Sequence, residues 1–147
     1  MPVVVSCAEK LWRMERRDLD VINVWGMTDI GLVRNENQDA YLVRANEETG
    51  HLICVVCDGM GGHTGGRIAS KLAAEVFVET CSSNLTCGMS EDEVSAVAEF
   101  AVSAANGAVY KLSREEEELR GMGTTLVSAI VWIPTSVRPG GRKNGWN

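Results

Sequence analysis

The sequence predicts an α+β fold, an antiparallel hairpin covered by a pair of helices, and three observations carry the prediction. Residues 39–44 (DAYLVR) and 52–57 (LICVVC) read as short strands on either side of a polar turn, Asn46 to Gly50. From Gly66 onward the apolar residues change to helical spacing, first over Ile68 to Phe77 and then over Val94 to Val109. Two sided helices in succession bury their apolar faces by packing as an antiparallel pair over a sheet. Past Gly121 the pattern returns to a strand, Leu126 to Trp132.

Taken in order, residues 1–22 show no clean periodicity and are expected as an extension ahead of a domain spanning residues 23–132. Val21 to Thr28 (VINVWGMT) has the β-branched and aromatic content of a strand. Asp29 to Gln38 is a polar connection, and the 39–44 strand and its turn follow. Leu52 to Cys57 is apolar without alternation, the pattern of a strand buried on both faces. Gly59, Gly61, Gly62, Gly65 and Gly66 make a flexible turn into the first helix, which ends near Cys81 with Ser82-Ser83-Asn84 as the break. Ser90 and Glu93 have the spacing of a capping box, so the second helix begins there. The acidic run Glu115 to Glu118 reads as a solvated helix end. Residues 133–147 mix glycine, proline and base without pattern and are expected as an irregular tail.

A chain of 147 residues suits one domain with a real core. The net charge of −6 argues against a general nucleic-acid or anionic-membrane binder. Arg138, Arg142 and Lys143 stand in the tail without an acid, so the acid excess lies in the first 132 residues. No apolar stretch approaches the about 20 residues that span a bilayer. The opening MPVVVSCAEKLWRMERR has its charge on the wrong side for a secretory signal, so the expected location is the cytoplasm. The five cysteines, an odd number, favour thiols in a reducing compartment. Cys54 and Cys57 have C-x-x-C spacing, but residues three apart in a strand point to opposite faces, which argues against a metal or redox pair.

The chemistry gathers around two aspartates. Asp39 opens one predicted strand and Asp58 follows the end of the next, so a hairpin brings both carboxylates to one edge of the sheet. Arg34 lies on the loop just before Asp39, at the same edge. Paired carboxylates hold divalent cations, and a guanidinium fork grips a phosphate bidentately. A divalent ion also acidifies water toward neutrality, which equips it to attack phosphorus. Together the three residues point to metal-dependent hydrolysis of a phosphate ester. Two other readings stay open. One is a non-catalytic phosphate- or protein-binding module. The other is a nucleotide loop, because Gly61 and Gly66 have the G-x-x-x-x-G spacing, although Arg67 and Ile68 replace its Lys and Ser/Thr. Arg17-Asp18-Leu19 with Asn23 copies part of a kinase catalytic loop, but only 16 residues precede Arg17, too few for the glycine-rich loop and strand lysine a kinase needs.

TDIGLVRNENQDA, VVCDGMGGHTGG with its helix, a long second helix and GMGTTLVSAIV occur in that order. In these pieces the chain resembles the metal-dependent serine/threonine protein phosphatases of the protein phosphatase 2C type, in bacterial form, over about Asn23 to Trp132. The resemblance implies an α-β-β-α sandwich of two antiparallel sheets flanked by helix pairs, of which this chain holds the N-terminal half. It implies manganese or magnesium in a two-ion site at the sheet edge, and hydrolysis of phosphoserine or phosphothreonine in proteins by water, with no phosphoenzyme. By the same resemblance Arg34 binds phosphate, Asp39 is a metal ligand, Asp58 bridges the ions, and the Gly59 backbone carbonyl is a ligand beside it. Gln38, where many relatives carry glutamate, supports the site through a water. Partners are then phosphorylated proteins, among them those of a serine/threonine kinase, with neither nucleic acid nor membrane involved. Met60 stands where eukaryotic relatives carry a histidine proposed as general acid, and His63 does not inherit that role. The remaining metal aspartates of the family lie in a C-terminal half, and no Asp or Glu follows Glu118 here. The expectation is a truncated or frame-shifted reading frame that lacks the second set of ligands, with residues 133–147 foreign to the domain and apolar sheet faces left exposed.

Overall fold

The structure is a computed structural model that describes residues 24–33, 35–46, 48–61 and 64–132. The expected N-terminal extension and the expected tail both lie outside these residues, as do Arg34 and His63.

Strand β1 (Asp39–Asn46) pairs antiparallel with β2 (His51–Met60) through the predicted turn. The turn is set by Asn46, whose side-chain oxygen accepts the N–H groups of Glu48 and Thr49 while its backbone carbonyl accepts that of Gly50. Gly50 has φ of 71°, a left-handed conformation that glycine adopts without steric cost. Two further strands, β3 (Gly123–Thr124) and β4 (Val127–Trp132), line the other side of β2. They keep one register along β2, from Met60 opposite Gly123 to His51 opposite Trp132, and so form a single strand opened at Thr125 and Leu126. β2 is the centre of the sheet.

Helix α1 (Gly65–Asn84) lies across one face of the sheet, and α2 (Glu91–Glu115) doubles back against α1. Ser90 and Glu93 form the predicted capping box, each side chain accepting the other's backbone N–H. The core joins Ile53, Val55 and Cys57 of β2 to Ala69, Ala73, Phe77 and Cys81 of α1 and to Ala101, Ala105 and Val109 of α2. Alanines at four-residue spacing on both helices leave little side chain between the backbones, which lets the pair approach closely. Phe77 is the largest wholly buried side chain. Of the two helices, α1 makes the broad contact with the strands, and α2 stacks chiefly on α1.

Two strand expectations change. β2 runs three residues past Cys57, because Gly59 and Met60 pair with Thr124 and Gly123. In the segment predicted as a strand over 21–28, Val24 to Thr28 belong to no strand, and residues 21–23 lie outside the described residues. The Tyr41 hydroxyl donates to the Gly26 carbonyl at 2.7 Å, and the Tyr41 ring presses on Gly26 so closely that a Cβ there would meet it at 2.6 Å. The apolar residues that gave the strand its propensity thus cover the sheet's outer face and do not enter a ladder.

That outer face is apolar. Tyr41, Val43, Val127 and Val131 alternate with the core-facing residues and stay exposed, Val127 to 69%. Between residues 24–28 and the β1–β2 part of this face, Tyr41 and Val43 among its lining, lies a cavity of about 250 Å³. Cys57 faces the core and Cys54 the outer side, so the C-x-x-C spacing makes no pair. Burial pushes the Cys57 thiol up to about 11, opposed by a hydrogen bond with Thr124, and leaves it protonated at neutral pH.

Two predictions follow from the packing. Phe77→Ala removes a wholly buried ring and should cost about 3–5 kcal/mol in urea unfolding. His51, at the buried start of β2, has an Nδ1 without a partner, and burial lowers its pKa from the ordinary 6.5. The unfolded chain takes up this proton below about pH 6.5 and the folded chain only at lower pH, so the associated stability is complete above 6.5 and is lost as pH falls. His51→Leu should therefore lose less melting temperature between pH 7 and pH 5 than the unsubstituted chain. Equal losses would contradict this.

Candidate active site

The site lies where β1 begins and β2 nears its end. Asp39 and Asp58 are register partners across the two strands, as the hairpin predicts. Cross-strand partners point to the same face of a sheet, with Cβ atoms about 4.5–5.5 Å apart. Their face is the outer one: Ala40 and Leu42 pack toward the core, and Asp39 lines the outer cavity beside Tyr41. Asp39 is half-buried and Asp58 exposed. No lysine or arginine among the described residues makes an ion pair with Asp58.

The opposite side of the same strand ends is occupied by backbone. The Gly59 N–H donates to the Gln38 carbonyl at 3.1 Å, carrying the β1–β2 register one step past both aspartates. A Cβ on Gly59 would fall 2.0 Å from the Gly66 carbonyl oxygen, and one on Gly66 would fall 2.6 Å from the Gln38 Oε1. Glycine at both positions is what lets the first turn of α1 rest on β2. Gly66 therefore serves packing, which accounts for the G-x-x-x-x-G spacing without a bound nucleotide. Gln38 lies in this packed layer, its side-chain amide against Gly66.

The loop before Asp39 is closed by Asn37. Its amide donates to the Thr28 hydroxyl at 2.9 Å and its carbonyl oxygen accepts the Asp39 N–H at 3.0 Å. Arg34 itself lies outside the described residues, between Val33 and Asn35 of this loop. Arg67 at the start of α1 pairs with Glu36, tying the loop to the helix. Met60 is exposed at the end of β2.

Thr124 and Thr125, which carry no motif in the sequence, both hold Asp58. The Asp58 N–H donates to the Thr125 hydroxyl at 3.0 Å, and the Asp58 carbonyl accepts the Thr125 N–H at 2.9 Å and the Thr124 hydroxyl at 3.0 Å. The signal available in the sequence was the pair of hydroxyl residues ahead of an apolar strand. Asp39, Asp58 and Thr125 thus occupy one row of the sheet's register, Thr125 in the opening between β3 and β4. Among the described residues, no group of three or more His, Cys, Asp or Glu stands close enough to hold a metal ion.

A hairpin under a helix pair carries a carboxylate pair at its edge. Comparison with known proteins gives it a family. The sequence pattern of the Protein phosphatase 2C family matches residues 33–137, and the chain belongs to that family. The serine/threonine phosphatase of Listeria monocytogenes serotype 4b is 33% identical over 104 residues, covering 71% of this chain and 40% of that protein. The protein phosphatase PhpP of Streptococcus pneumoniae is 36% identical over 110 residues, covering 71% of this chain and 42% of that protein. The crystal structure of a serine/threonine phosphatase from Staphylococcus aureus superposes with a TM-score of 0.60 at 31% identity, over 72% of this chain and 41% of that one. The chain spans about 40% of the length of the curated relatives it matches.

The glycine packing yields a contrasting pair of substitutions. Gly59→Ala should destabilise the chain by at least the roughly 1–3 kcal/mol typical of overpacking, since the obstructing atom is backbone. Gly107→Ala, on α2 with open space around it, should stabilise by about 0.5–1 kcal/mol. Chemical denaturation of both variants checks the signs.

Proposed function

We propose that this chain carries part of a site for metal-dependent hydrolysis of phosphoserine and phosphothreonine in proteins, with Asp39 and Asp58 as its cation ligands. The observation that carries the reading is the pairing of those two carboxylates in register on one face of the sheet. Two carboxylates directly opposite one another on a strand pair present oxygen ligands of the kind a hard cation takes. The donor set, oxygen only, fits magnesium or manganese. When bound, such an ion supplies water acidified toward neutrality and neutralises phosphate charge. Asp39 and Asp58 would hold it, the Gly59 carbonyl would be a further oxygen donor beside Asp58, and Gln38 would support the site from the packed layer. Arg34 is assigned the phosphate by its place on the loop before Asp39 and by its planar fork. The substrates are phosphorylated proteins, including those of a serine/threonine kinase. The proposed location is the cytoplasm; no helix among the described residues is long and apolar enough to cross a membrane.

A second reading, a non-catalytic phosphate- or protein-binding module, is favoured by one observation: no third His, Cys, Asp or Glu among the described residues joins the pair. Hydrolysis of a phosphothreonine peptide by the full chain, with manganese and in a metal-free blank, separates the two. The first reading predicts turnover above the blank that Arg34→Ala and Asp58→Asn both abolish. Turnover equal to the blank, with calorimetric binding of the peptide retained, would favour the module.

A further inference from the structure

We propose that Thr124 and Thr125 are positioning residues of the carboxylate site, their hydroxyls fixing the Asp58 peptide so that its side chain stays opposite Asp39. The proposal rests on the reading of Asp39 and Asp58 as cation ligands. In a regular antiparallel ladder the Asp58 N–H would donate to the backbone carbonyl of the residue facing it, which the shared register of β3 and β4 makes Thr125. Here it donates to the Thr125 hydroxyl instead, while the return bond, Thr125 N–H to the Asp58 carbonyl, is kept. The ladder opens at this one step and closes again at Val56 opposite Val127.

The opening has a consequence for Asp58. A strand residue held by two ladder bonds takes its side-chain direction from the pleat alone. Asp58 is held on its amide side by a side chain and on its carbonyl side by two donors, one of them the Thr124 hydroxyl. That hydroxyl also lies 2.9 Å from the Thr125 carbonyl, the acceptor the ladder left behind, and carries one proton to share between the two. Thr124 stands opposite Gly59, on the core side by the alternation of the strand, whereas Thr125 is the register position facing Asp58, in line with Asp39. The peptide of Asp58 is thereby gripped from both faces of the sheet at a step where the ladder itself does not grip it fully. Residues that orient a ligand without touching the ion commonly change metal affinity by 10–100-fold when removed.

The test is a calorimetric titration of the full chain with manganese chloride, alongside amide exchange at Asp58 followed by NMR without metal. Thr125→Val keeps the shape and β-branching and removes the hydroxyl, and Thr125→Ser keeps the hydroxyl. The expected result is manganese affinity about tenfold or more weaker in Thr125→Val, faster exchange at Asp58, and recovery of both in Thr125→Ser. Should Thr125→Val fail to fold, Thr124→Val with Thr124→Ser puts the same question from the core side. Undiminished manganese affinity in a folded valine variant would overturn the positioning role while leaving Asp39 and Asp58 as ligands. An unsubstituted chain that binds no manganese would overturn both.

Discussion

The contact of Gly59 with Gly66 is the constraint on which the rest of the arrangement depends. It brings the backbone at the start of α1 onto the backbone near the end of β2, closer than any side chain permits. Gln38 is caught in the same contact, its carbonyl on the Gly59 N–H and its amide against Gly66. With those three residues locked, the register of β1 on β2 is fixed one step before the aspartates. A slip by one residue would turn every side chain of β1 to the wrong face. Helix packing on one side of the strand thereby decides which carboxylates meet on the other.

That division of labour follows from the two-residue period of a strand. Cys57 and Gly59 face the helices and Asp58, between them, faces away. The core side is closed by small residues and the outer side carries the charge. The outer side also carries Tyr41, Val43, Val127 and Val131, an apolar surface that residues 24–28 cover in part. The carboxylate pair sits at the rim of this surface, where an ion would meet protein on one side and solvent on the other.

The juxtaposition of Asp39 and Asp58 was legible in the sequence because it needs little: a turn with asparagine and glycine, and strands of nearly equal length. The capping box at Ser90 and Glu93 was legible for the same reason, being local. Val24 to Thr28 misled because strand propensity measures how well side chains suit a half-buried pleated surface, and covering such a surface asks for the same residues. The extension of β2 through Met60 and the grip of Thr124 and Thr125 on Asp58 depend on a partner more than sixty residues away. No local pattern announces a ladder that opens for one step.

The role of the Asp39–Asp58 pair turns on where a divalent cation binds. The direct measurement is paramagnetic broadening of the amide NMR spectrum by substoichiometric manganese in the full chain. Broadening centred on Asp39, Asp58, Gly59 and Thr125 is the predicted result. Broadening centred elsewhere, for instance on the acidic run from Glu115 to Glu118, or none at all, would contradict it.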